Sequence, residues 1–128
     1  MSTSTNLRDD LTTEEKFRAY VSRLFVKRRM GGDGVHHACT GLAGEAGECL
    51  DLSKKSWVYG KEMDWAKLME EMGDTLHYFF MLMIKIEEET GKKVTIYDVM
   101  QNNIAKLNKR YPNGYTDQAA IDRRDQTV

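Results

Sequence analysis

Apolar residues recur at three- and four-residue spacing through four long stretches of the chain, and nowhere does the two-residue alternation of a strand take over. The first stretch begins at Thr13, behind a Thr12-x-x-Glu15 capping box, and runs to about Met30, with Phe17, Tyr20, Val21, Leu24 and Phe25 as its stripe. Gly31-Gly32-Asp33-Gly34 ends it. A second helix is predicted from Val35 to Trp57, burying Val35, Leu42, Ala46, Cys49, Leu50 and Trp57, before a turn at Tyr59-Gly60-Lys61. The third and longest takes Asp64 as N-cap and reaches Thr90, with Gly91 as the residue that stops it. A fourth, Ile96 to Lys109, opens on Thr95-x-x-Asp98 and carries Ile96, Val99, Met100, Ile104 and Leu107. The single proline, within Tyr111-Pro112-Asn113-Gly114, then turns the chain out of the helix. This is an all-α chain, a bundle of about four main helices. Polar, highly charged segments flank it, which gives a disordered start at residues 1–12, a domain at 13–115 and a polar tail at 116–128.

Length and charge narrow the function classes. At 128 residues the chain can bury one core but not two. With 19 Lys+Arg against 20 Asp+Glu there is no global field to draw it to a nucleic acid polymer or an anionic membrane. Cys39 and Cys49, ten apart on one predicted helix, make a poor disulfide and read as small core residues in a reducing compartment. No apolar run approaches the roughly 20 residues of a membrane span, and the polar segment Met1 to Asn6 lacks the apolar core of a signal peptide. A cytoplasmic location is the expectation.

The candidate chemistry lies in two acidic pairs at i, i+3 spacing, Glu45/Glu48 on the second helix and Glu71/Asp74 on the third. A short loop makes those helices antiparallel, so four carboxylates can converge on one point. Hard oxygen ligands in that number call for a hard cation, and Mg²⁺ completes its shell with water and phosphate oxygens. At about 100° per residue, Glu45 and the Glu71/Asp74 pair border the apolar arcs of their helices, and one flank of the second helix carries His37, Gly41, Glu45, Glu48 and Lys55. Gly44, Gly47 and Gly73 interrupt the acids, at about 1 kcal/mol each relative to alanine, which calls for a reason such as close backbone approach. Against this, single acidic pairs on charged helices are ordinarily solvated surface, and the residues by themselves leave both readings open. The apolar arc of the third helix is wider than one packing face needs. It must be covered from two sides, which points to an oligomer.

Taken in order, the blocks are more specific than either pair. Gly41-Leu42-Ala43-Gly44-Glu45-Ala46-Gly47-Glu48, Lys54-Lys55, Tyr59-Gly60-Lys61, Glu70-Glu71-Met72-Gly73-Asp74 and Asn103-Ile104-Ala105-Lys106-Leu107-x-x-Arg110-Tyr111-Pro112 resemble the MazG-type nucleotide pyrophosphohydrolases of the all-α NTP pyrophosphatase superfamily. The resemblance spans about His36 to Tyr115. It implies a MazG-like helical fold completed by oligomerisation, as a homodimer or tetramer. It also implies Mg²⁺-dependent hydrolysis of a nucleoside triphosphate between the α and β phosphates, giving the monophosphate and pyrophosphate. Glu45, Glu48, Glu71 and Asp74 would then be the catalytic metal ligands, for more than one Mg²⁺, with Mn²⁺ as an alternative. Lys55, Lys106 and Arg110 would hold phosphates, and Asn103 and His37 would contact the nucleotide. Two alternatives accompany this reading. One is a base-selective member, acting on dUTP, dCTP or phosphoribosyl-ATP; the other is a non-catalytic helical module that binds nucleotide or a partner.

Overall fold

The structure is a computed structural model and describes residues 13–25 and 34–126. It contains α1 (Thr13–Leu24), α2 (Val35–Trp57), α3 (Trp65–Thr90), α4 (Ile96–Arg110), α5 (Asp117–Asp122) and a 3₁₀ turn, Arg124–Gln126. There is no strand among the described residues. The Thr12 cap, the continuation of the first helix to Met30 and the stop at Gly31 to Asp33 fall outside them.

The helix ends follow from local chemistry. Asp64 caps α3 by accepting a hydrogen bond from the Lys67 backbone N–H at 2.9 Å, and Gly91 ends it at φ 70°, a left-handed conformation that costs glycine little. At α4 the predicted capping box forms in full: the Asp98 N–H donates to Thr95 Oγ1 at 3.2 Å and the Thr95 N–H donates to Asp98 Oδ2 at 2.9 Å. These hydrogen bonds hold the Asp98 carboxyl below the usual carboxylate range.

The chain divides into two compact units, one ending at Lys92 and the other starting at Lys93. In the first, α3 is the spine, packing most extensively on α2 and also on α1. Phe17 of α1 meets Phe80 edge-on at 4.9 Å between ring centroids, and Arg18 reaches Glu87 at 2.9 Å. Val21, Ala38, Phe80, Met81 and Met83 form the buried core. Gly41 of α2 lies under the ring of Tyr78, whose Cδ1, Cε1 and Cζ occupy the space a Cβ would need. That contact, four residues from Glu45 on one helix and four from Asp74 on the other, registers α2 against α3 in antiparallel sense.

Two expectations about burial need correction. Leu50 is 70% and Trp57 86% exposed, Val35 and Ala46 are exposed as well, and Cys39 lies at the surface rather than in the core. The seam with α3 is narrower than the apolar arc of α2, so part of that arc faces outward. Gly44, Gly47 and Gly73 likewise have no heavy atom within 4 Å of where a Cβ would stand. Of the glycines beside the acids, only Gly41 is required by close approach.

In the second unit, residues 117–126, within the polar tail marked off in the sequence, form a short helix and a 3₁₀ turn. Thr116 caps α5 by accepting from the Ala119 N–H at 3.0 Å, and Arg123 ends it at φ 47°. The following 3₁₀ turn brings Asp125 to Arg110: Nε donates to Oδ1 at 2.6 Å and Nη2 to Oδ2 at 2.9 Å, and the Asp125 side chain is only 3% exposed. A bidentate ion pair made fifteen residues away along the chain supplies what the tail's apolar content lacks.

Candidate metal centre

The α2/α3 seam places Glu45, Glu71 and Asp74 together, with one carboxylate oxygen from each lying within 4.8 Å of the others. Glu45 comes from mid-α2, while Glu71 and Asp74 come from successive turns of α3. Glu71, only 5% exposed, is the buried charged residue among those described. Glu48 lies one turn beyond Glu45, exposed, and outside that three-residue set. Its charge is nevertheless felt by both Glu45 and Lys55.

The electrostatics of the set are those of crowded acids. Partial burial pushes the Glu45 carboxyl up, as do its hydrogen bond with Glu71 and the charges of Asp74, Glu71 and Glu48. A divalent cation would remove the repulsion. Three convergent carboxylate oxygens, one of them buried, suit a hard cation of the Mg²⁺ type and offer nothing to a thiolate-seeking metal.

A ring cluster adjoins the acids. Tyr78 packs edge-on to His77 at 5.2 Å and to His37 at 6.0 Å between centroids. Burial pushes His77 below the ordinary histidine range and the neighbouring His37 adds to this, while Asp74 opposes it. His37 Nδ1 is buried with no hydrogen-bond partner. His37 was expected near the site from its place on the α2 flank; His77 was not. The signal for His77 was its position three residues after Asp74.

The basic candidates are disposed differently. Lys55 forms an i,i+4 ion pair with Asp51 at 2.9 Å, which raises the lysine and lowers the aspartate. Asn103 and Lys106 are exposed on α4, and Arg110 is engaged by Asp125. Lys67, which periodicity did not single out, binds two acids: its Nζ lies 3.0 Å from Glu70 Oε1 and 3.1 Å from Glu71 Oε1. It stands four residues before Glu71, an i,i+4 spacing that was legible. A groove of about 530 Å³ lies between α1 and α3, lined by Arg18, Ser22, Ile84, Glu87 and Gly91 among others. Thirteen residues of α3 separate Glu87 from Asp74, about 20 Å of helix, so the groove is remote from the acids.

No helix among the described residues is long and apolar enough to cross a membrane. Comparison with curated proteins and with solved structures gives no match. Comparison with protein families matches the MazG nucleotide pyrophosphohydrolase domain over residues 34–115. That span covers well over half of the chain and includes all three clustered carboxylates. An all-helical fold, acids from α2 and α3 meeting on one seam, and this match lead to one conclusion: the chain belongs to the MazG nucleotide pyrophosphohydrolase domain family.

Proposed function

We propose that this protein hydrolyses nucleoside triphosphates between the α and β phosphates in a Mg²⁺-dependent reaction, releasing the monophosphate and pyrophosphate. The observation that carries the reading is the approach of Glu45, Glu71 and Asp74 within 4.8 Å across the α2/α3 seam. Those three residues would hold the cation, and Glu48, one turn along α2, is the proposed fourth ligand. A bound divalent cation would neutralise the phosphates and lower the pKa of water. The chain's own residues supply the rest. Glu71 and Asp74, on a helix fixed against α2 by the Gly41/Tyr78 contact, keep the oxygen donors in place. His37, with its unpartnered Nδ1, is the proposed polar contact for the nucleotide from α2. Lys55 would exchange its exposed partner Asp51 for a phosphate. Asn103, Lys106 and Arg110 are proposed as the remaining substrate-binding residues on their chemistry: one amide and two cations that favour phosphate.

The proposed assembly is a homo-oligomer. Trp65, Met69, Met72 and Leu76 recur at heptad-like spacing on α3 and are 72%, 72%, 60% and 42% exposed. A stripe of that kind on a single chain suits a second copy. The free thiols Cys39 and Cys49 agree with a reducing, cytoplasmic setting.

The test is a panel of ribo- and deoxyribonucleoside triphosphates assayed for pyrophosphate and monophosphate, with and without Mg²⁺. Metal-dependent release of pyrophosphate that is lost in Asp74→Asn is expected. Binding without turnover would replace the enzyme reading with that of a nucleotide-binding module, and a strong preference for one base would identify a selective enzyme.

A further inference from the structure

The least explained charge in the first unit is Lys67. Its backbone is fixed by the Asp64 cap in the first turn of α3, so only its side chain is free to move. The ammonium bridges Glu70 and Glu71, at 3.0 and 3.1 Å. These two partners differ sharply in setting: the Glu70 side chain is 62% exposed and that of Glu71 only 7%, with Lys67 itself at 45%. Leaving a carboxylate buried without a counter-charge is costly. Lys67 supplies that charge from the solvent side of the cluster, and both acids hold its ammonium well above the usual lysine range. An ammonium has three donors and no lone pair, so it cannot coordinate a metal and would be repelled by one at the same oxygen.

We propose that Lys67 is the resident counter-cation of the acid cluster, neutralising Glu71 until a divalent cation binds and then withdrawing to Glu70 alone. This rests on the metal-site reading above. Lys67 is thus a positioning residue: it keeps the Glu71 carboxylate ordered in the metal-free protein, and it sets a threshold that the entering cation must exceed. Glu70, beside the motif but outside the cluster, acquires a role as the place where the displaced ammonium rests. The exchange is one of partners, with no bond to carbon or phosphorus made or broken.

The probe is Mn²⁺ alone, titrated calorimetrically into the nucleotide-free protein. Removing a competitor worth one partly exposed ion pair should tighten Mn²⁺ binding in Lys67→Met by about two- to fivefold. The same variant should melt at lower temperature without metal and gain more from adding it, while Lys67→Arg retains wild-type behaviour on both counts. A crystal structure of the wild-type protein soaked in Mn²⁺ should show Lys67 Nζ on Glu70 and out of hydrogen-bonding range of Glu71. Unchanged or weaker binding in Lys67→Met would overturn the proposal, as would an ammonium still seated on Glu71 beside the metal. Should Lys67→Met not fold, the wild-type Mn²⁺ structure decides by itself. Wild-type protein that binds no Mn²⁺ would instead overturn the metal centre, and Lys67 with it.

Discussion

Replacing Gly41 by alanine tests the seam on which the acid cluster depends. An added methyl group would meet the Tyr78 ring at Cδ1, Cε1 and Cζ, all closer than side chains tolerate. Overpacking of this kind costs about 1–3 kcal/mol. Alanine in place of glycine within a helix returns about 1 kcal/mol. The single substitution therefore falls between nearly neutral and a loss of about 2 kcal/mol, too broad a window to decide anything alone. A double-mutant cycle with Tyr78→Ala isolates the contact. Without the ring, Gly41→Ala should stabilise by about 1 kcal/mol, and the coupling between the two sites should equal the overpacking cost of about 1–3 kcal/mol. Gly47→Ala is the control: with no heavy atom within 4 Å of its Cβ, it should stabilise outright. Urea unfolding followed by circular dichroism at 222 nm gives each value, at one fixed protein concentration because association shifts apparent stability. A parallel Mn²⁺ titration should show weaker binding in Gly41→Ala, since a wedge at Tyr78 parts the helices one turn from Glu45 and Asp74. Equal stabilisation by Gly41→Ala with and without the Tyr78 ring would refute the reasoning.

Three further outcomes are expected. Met72→Glu should convert the proposed oligomer to a monomer by light scattering while retaining helical content; an unchanged mass would show that the α3 stripe is not the contact. Thr95→Ala should cost about 1 kcal/mol by removing the N-cap of α4, measured by urea unfolding; no loss would mean that the capping box contributes nothing net. For the C-terminal segment, the Arg110 guanidinium holds the Asp125 carboxyl below the usual carboxylate range. Folding therefore gains from the ionised form. The gain is complete above the unfolded pKa of about 3.9 and is lost as pH falls through the lower folded value. Amide protection of residues 117–126 should accordingly fall in that acid range, and Asp125→Asn should weaken it already at neutral pH. Protection that is insensitive to both would show that the ion pair does not hold the segment.

How much was legible depended on the range of the interaction. The bounds of α2 and α3, the Asp64 cap and the Thr95/Asp98 box were readable because each rests on residues three or four apart, a distance the sequence states directly. Glu45, Glu71 and Asp74 were readable as candidates for the same reason: spacing on a helix sets their direction. Lys67 was readable too, from its i,i+4 relation to Glu71, but charge pairs are so common on helices that nothing separated it from solvated surface until Glu71 proved buried.

Longer-range relations stayed hidden. Which glycine the seam needs was not in the sequence: Gly44, Gly47 and Gly73 lie nearer the acids, yet of these four it is Gly41 that faces the Tyr78 ring of α3. Nor did the polar composition after Thr116 disclose that Asp125 finds Arg110, since nothing local to the tail supplies that cation. Burial was overestimated at Leu50 and Trp57 because periodicity reports an apolar arc, not how much of it a neighbouring helix covers. By itself the sequence determined the helices, their caps and the carboxylates available, because those follow from near neighbours along the chain. The α2/α3 packing decided that three of the acids meet, that one becomes buried and that Lys67 must answer for its charge, because burial and repulsion exist only once separate helices share a surface.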